Sequence, residues 1–126
     1  MPLSKLLRKI KTTRKKYHGI TFSGGEPFQQ ADDVAKLAEA AKKRGWDVVV
    51  FTGYVYEDLA KTPDPGIQSL LSLTDILVDG PYIHNQQDTS LPFRGSSNQR
   101  VIDLKATRSN GQIIMYKIEQ NREERM

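Results

Sequence analysis

Three glycine-bearing turns each carry a polar side chain fit for ligand chemistry: Ser23-Gly24-Gly25-Glu26, Thr52-Gly53-Tyr54 and Asp79-Gly80. Paired glycines let a ligand approach the backbone closely, because no Cβ intervenes. Glu26 supplies an acceptor-only carboxylate suited to an ammonium group. On these residues alone a plain strand-to-helix turn with a solvated glutamate stays open, as does an Asx-type turn at Asp79. A fourth stretch, Phe93-Arg94-Gly95-Ser96-Ser97-Asn98-Gln99, adds a fixed cation, a flexible glycine and hydrogen-bonding side chains. Cysteine is absent, which removes disulfides, thiolate ligands and thiol nucleophiles. The only histidines, His18 and His84, share no ligand spacing with each other or with a carboxylate cluster, and read as surface or loop residues. There is no defensible Ser-His-Asp set, no phosphate-cradling loop and no dinucleotide motif.

The elements that must position these turns follow from hydrophobic periodicity. Ile20 and Phe22 alternate with Thr21 and Ser23, as in a short strand ending at the Gly-Gly-Glu turn. Asp32 or Asp33 is expected to cap a helix with the stripe Val34, Leu37, Ala38 and Ala41. Lys42, Lys43 and Arg44 complement its C-terminal end and Gly45 stops it. Asp47-Val48-Val49-Val50-Phe51 is a continuous run, as in a strand covered on both faces. A short helix over 55–61 is broken by Pro63 and Pro65, and further helical turns run over 67–73. Asp75-Ile76-Leu77-Val78 is a third strand. Strand and helix alternating at this spacing predict a parallel sheet with crossover helices, whose polar strand ends gather on one rim. Residues 82–99 read as a long loop crossing that rim. The chain is expected to close with a hairpin of 101–107 and 112–118 around Ser109-Asn110-Gly111. Residues 119–126 read as a charged, frayed tail.

The totals narrow the class further. A length of 126 residues, 37% hydrophobic and 27% charged, suits one globular α/β domain. No apolar run is long enough to span a bilayer and no signal-peptide pattern opens the chain, so a cytoplasmic setting is expected. The net charge of +4 is misleading: residues 5–16 hold seven lysines and arginines and no acid, leaving 12 basic against 15 acidic residues elsewhere. Leu3, Leu6, Leu7 and Ile10 fall at helical spacing, so 1–17 reads as a basic amphipathic helix with Ser4 as its cap. Packing on the sheet is its plainest role. Phosphate contacts or an anionic membrane are rivals, weakened because no aromatic residues interleave with the charges.

Taken together, four stretches resemble one family. Phe22-Ser23-Gly24-Gly25-Glu26-Pro27, Phe51-Thr52-Gly53-Tyr54, Ile76-Leu77-Val78-Asp79-Gly80 and Arg94-Gly95-Ser96-Ser97-Asn98-Gln99 occur in the order seen in activating enzymes of anaerobic ribonucleotide reductase. Those are radical S-adenosylmethionine (radical SAM) proteins related to the pyruvate formate-lyase activating enzymes. The first motif is shared across the superfamily, and the other three are more particular to the reductase activators. The resemblance implies a partial (β/α) barrel that binds S-adenosylmethionine beside a 4Fe-4S cluster, here without its first strand. It places residues 18–104 in the binding core and 105–126 in the second hairpin strand and tail. By likeness, Ser23, Gly24, Gly25 and Glu26 receive the methionine ammonium, and Thr52 and Asp79 flank the ribose or a small cation. Arg94 pairs with the methionine carboxylate or with the protein partner, and Ser96, Ser97, Asn98 and Gln99 line the cofactor or the partner groove. The implied partners are the glycyl radical subunit of the reductase and an electron donor such as a flavodoxin. In the family one electron from the cluster breaks the sulfonium bond, and the resulting 5′-deoxyadenosyl radical takes a hydrogen from a glycine of the reductase.

One departure changes the expectation. The family holds its cluster in a Cys-x3-Cys-x2-Cys loop before the Gly-Gly-Glu strand, and this sequence has no thiolate to offer. The chain is therefore read as the portion that follows the cluster loop, inactive on its own in reductive cleavage. The alternatives are a catalytically inactive module that binds S-adenosylmethionine or the reductase, and a basic-arm protein binding nucleic acid or membrane. An exposed first strand also predicts self-association or poor solubility.

Overall fold

The computed structural model describes residues 19–23, 25–81 and 98–116. The basic helix expected over 1–17, residues 82–97 of the expected loop over 82–99, and the tail expected over 119–126 lie outside the described residues. Four strands form one sheet in the order β1 (Gly19–Phe22), β2 (Asp47–Phe51), β3 (Ile76–Asp79) and β4 (Arg100–Asp103). β1, β2 and β3 run parallel, in register Ile20 with Val48 and Val50 with Leu77. β4 joins antiparallel to β3, Leu77 opposite Ile102 and Asp79 opposite Arg100.

The period of two decides which side chains meet the helices. Ile20, Phe22, Val48, Val50, Leu77 and Ile102 share one face and enter the main core, with Val48, Val50, Leu77 and Ile102 fully buried. The opposite face is less covered at β2, where Val49 and Phe51 are half-buried, so the expectation of a strand sealed on both faces is met only in part.

Helix α1 (Ala31–Lys43) connects β1 to β2, while α2 (Tyr56–Lys61) and α3 (Pro65–Leu73) connect β2 to β3. α1 lays its buried Ala31, Ala35, Leu37, Ala38 and Ala41 inward and packs chiefly against α3. Small side chains on this stripe let the two helices approach closely. Leu70 of α3 is completely buried between them and the sheet. Burying a leucine of this kind contributes roughly 1.5–3 kcal/mol.

Two local expectations need correction. Neither Asp32 nor Asp33 caps α1. A 3-10 turn (Pro27–Gln30) precedes the helix, Glu26 accepts from its Phe28 N–H, and both aspartates lie within the first turn of α1. They face the helix dipole favourably there without capping it. Gly45 does end the helix region, at φ 78°.

The C-terminal hairpin is also replaced. Residues expected to continue a strand form helix α4 (Leu104–Asn110), because Asp103 accepts from the Ala106 N–H and so caps a new helix. Gly111, at φ 71°, donates its N–H to Thr107 O and closes α4 as a left-handed C-terminal residue. The Asn-Gly pair thus ends a helix and does not form a two-residue turn. The two segments still meet: Ile102 bridges Met115 antiparallel, and Tyr116 N–H donates to Val101 O. The sheet is open among the described residues, with β1 at one end and β4, bridged by the 114–116 segment, at the other.

Candidate functional site

Parallel strands place their carboxyl ends on the same edge, and in open α/β sheets ligands bind beyond that edge. β1 ends at Phe22 and leads into Ser23, Gly25 and Glu26; β2 ends at Phe51 before Thr52 and Gly53; β3 ends at Asp79 before Gly80. Glu26, Thr52 and Asp79 therefore stand in sequence along one rim. Gly25 takes φ 54°, a left-handed conformation that favours glycine. Gly24, Arg94 and Ser96 lie outside the described residues, as do Ser97 and both histidines.

Glu26 and Thr52 are in direct contact. Glu26 Oε2 accepts from the Thr52 hydroxyl at 2.8 Å and from the Phe28 N–H at 3.0 Å. Oε1 accepts from the Gly53 N–H at 2.7 Å. A carboxylate offers about four acceptor directions. Among the described residues, Oε2 is therefore filled by these donors, while Oε1 retains room for one more. Thr52 is itself buried and passes the constraint on, its hydroxyl accepting from the Tyr54 N–H. The Tyr54 hydroxyl in turn accepts from Gln29 Nε2 at 3.2 Å, which ties the two loops beside Glu26 together.

Asp79 sits at the third strand end in a different environment. It is 1% exposed. Its Oδ2 accepts from the Tyr56 N–H and from Arg100 Nη2, and its Oδ1 accepts from Arg100 Nε at 3.0 Å. Arg100 extends the same fork to Glu57, at 2.6 Å and 3.2 Å. Hydrogen bonding from Arg100 holds the Glu57 carboxyl below its ordinary range. The guanidinium is pushed further up by Asp79 first and Glu57 second. Asn98 Nδ2 donates to Pro81 O and Gln99 Nε2 to Gly80 O, so the end of the 94–99 motif is tied to the third strand end.

Arg100 and Glu57 were not singled out by the sequence. The available signal was slight: Arg100 directly follows the Arg-Gly-Ser-Ser-Asn-Gln motif, and only the antiparallel register sets it opposite Asp79.

The described residues thus form a mixed α/β sheet whose parallel strand ends carry Glu26, Thr52 and Asp79 along one rim. Residues 2–102 match the family described as a 4Fe-4S single cluster domain, and the chain belongs to that family. It is 37% identical over 99 residues to the anaerobic ribonucleoside-triphosphate reductase-activating protein of Vibrio cholerae, covering 75% of this chain and 61% of the relative. It is 35% identical over 104 residues to the protein of the same description from Escherichia coli K12, covering 79% of this chain and 65% of the relative. The Haemophilus influenzae protein of that description is 34% identical over 98 residues, covering 75% and 61%. The chain thus spans less than two thirds of the length of these relatives. No solved structure matches it significantly.

The residues present do not fit the cluster that the family is named for. Such clusters are held by thiolates, and the sequence contains no cysteine. Among the described residues no group of three or more histidine, cysteine, aspartate or glutamate side chains is placed to hold a metal ion.

Proposed function

We propose that this chain is a S-adenosylmethionine-binding core that serves the activation of an anaerobic ribonucleotide reductase. Its parallel strands would then be an arc of the radical S-adenosylmethionine type of (β/α) barrel. The observation that carries the reading is the free acceptor direction on Glu26 Oε1, at the end of a parallel strand and beside a left-handed Gly25. An amino-acid ammonium presents three donors, and a fixed carboxylate next to accessible backbone suits one of them. The names carried by the similar proteins supply the class of partner, and the resemblance of the four motifs supplies the ligand.

In this reading Glu26 receives the methionine ammonium, with Ser23, Gly24 and Gly25 giving the backbone room for it. Thr52 fixes the carboxylate from below, and Asp79 shapes the neighbouring strand end. Arg94, Ser96 and Asn98 complete the cofactor side or face the reductase. Bound S-adenosylmethionine would supply a sulfonium and, in an assembly holding a cluster, the source of a radical. This chain's residues bind and orient it. They do not reduce it.

Isothermal titration of the chain with S-adenosylmethionine tests the proposal. Wild-type protein is expected to bind, and Glu26→Gln to weaken binding about tenfold or more, since a hydrogen bond to a charged group contributes about 1.5–3 kcal/mol. Absence of binding heat, or equal affinity for Glu26→Gln, would overturn it.

A further inference from the structure

The rim is built in two halves joined by one segment. At one end, the Gly53 N–H and the Thr52 hydroxyl aim the Glu26 carboxylate. At the other end, the Tyr56 N–H is fastened to Asp79 Oδ2 at 2.8 Å, and the Gly80 N–H donates to Tyr54 O at 2.8 Å. Between them, residues 52–56 are held by local bonds as well: the Thr52 N–H donates to Val78 O, the Tyr54 N–H to the Thr52 hydroxyl, Gln29 Nε2 to the Tyr54 hydroxyl, and the Asp58 and Leu59 N–H groups to Val55 O, while Tyr54 and Val55 stay exposed. Asp79 is the one charged side chain among these anchors, and it fixes the Tyr56 end of the segment.

Asp79 is a carboxylate withdrawn from water, and such a group stays in place only with a paired cation and satisfied oxygens. Arg100 supplies both. Its Nε and Nη2 grip Asp79, and its Nη1 and Nη2 grip Glu57 on the first turn of α2. A guanidinium has five N–H donors, and four are spent on these two carboxylates. Little is left for a ligand, so Arg100 does not act by contact. We infer that Arg100 is a positioning residue for the ligand-binding rim, fixing the 52–56 segment through Asp79 and Glu57 and thereby the donors that orient Glu26. Asp79 acts in the same way, through the segment and not by touching the ligand. The effect on ligand binding rests on the function proposed above; the effect on the segment does not.

The experiment separates the two. Amide hydrogen exchange is followed by NMR in the ligand-free chain for wild type, Arg100→Met, Arg100→Lys and Glu57→Gln. Arg100→Met is expected to speed exchange at Gly53 and Tyr56 at least tenfold, while the Val48 N–H, bonded to Asp75 at the opposite end of the sheet, changes less than twofold. Arg100→Lys should restore part of the protection. Glu57→Gln, which leaves Asp79 paired, should give a smaller change of the same direction and keeps the test available if Arg100→Met does not fold. Unchanged exchange at Gly53, or equal acceleration at Gly53 and Val48, would overturn the inference. Titration with S-adenosylmethionine then supplies the second arm. Arg100→Met should weaken binding in the wild-type background and add little to Glu26→Gln. If wild-type chain binds no S-adenosylmethionine while Gly53 still responds to Arg100, the positioning role stands and the ligand assignment falls.

Discussion

Glu26 and Asp79 are both carboxylates at the carboxyl ends of parallel strands, yet they are held differently. Glu26 is half-buried and, among the described residues, bonded only to neutral donors from Phe28, Thr52 and Gly53. Asp79 is sealed and gripped by a guanidinium. The difference is one of pairing: a buried charge needs a counter-charge, whereas a half-exposed one is served by dipoles and water. Glu57 is an intermediate case, 47% exposed at its side chain and bridged to Arg100. Its carboxyl is held below the ordinary value by the bond from Arg100, so its unfolded-state affinity for protons is the greater. The stability it contributes is then present above the ordinary carboxylate value and is lost as pH falls through the lowered one. Urea unfolding of wild type and Glu57→Gln at a series of pH values checks this. The wild type should be more stable near neutral pH by no more than about 1 kcal/mol, as expected for an exposed pair, and the gap should close on acidification below the ordinary range.

At the scale of elements, the C-terminal segment shows how one dipeptide can serve two structures. Asn110-Gly111 between two apolar stretches fits a hairpin turn, but Asp103 offers a helix cap and Leu104, Lys105 and Ala106 are good helix formers. The helix wins, and Gly111 becomes its left-handed terminus with nothing within 4 Å of a notional Cβ. Space is therefore not the constraint at this position; backbone conformation is. Gly111→Ala is expected to cost about 1–2 kcal/mol, the strain of a left-handed residue bearing a Cβ, read as a lower urea midpoint with an unchanged slope. A hairpin turn in its place would have put the same substitution into a register shift of the 112–116 segment, which loss of the Ile102–Met115 bridge would report.

At the scale of the whole molecule, the sheet formed by the described residues has an open parallel edge. β1 pairs only with β2 among the described residues, and Gly19 and Thr21 are exposed along it. Exposed edges recruit other strands unless charge or distortion blunts them. Sedimentation velocity is expected to show mass increasing with concentration, and Thr21→Lys should suppress it. A single monomeric boundary over a hundredfold concentration range would contradict this. No helix among the described residues is long and apolar enough to cross a membrane.

The order of strands and helices from 19 to 79 was legible in the sequence because it depends on local rules: the alternation of Ile20 and Phe22 with Thr21 and Ser23, the continuous run Val48-Val49-Val50, the alanine and leucine stripe of α1, and the breaks at Gly45, Pro63 and Pro65. The sequence also located the rim, since parallel strands must end on one side. Tertiary structure decided what local rules cannot reach. Arg100 meets Asp79 and Glu57 only after the chain has turned back antiparallel, and the separations of 21 and 43 residues leave no periodic trace. Pairing of a buried charge is set by which side chains the packed backbone brings together, and that is a property of the assembled fold.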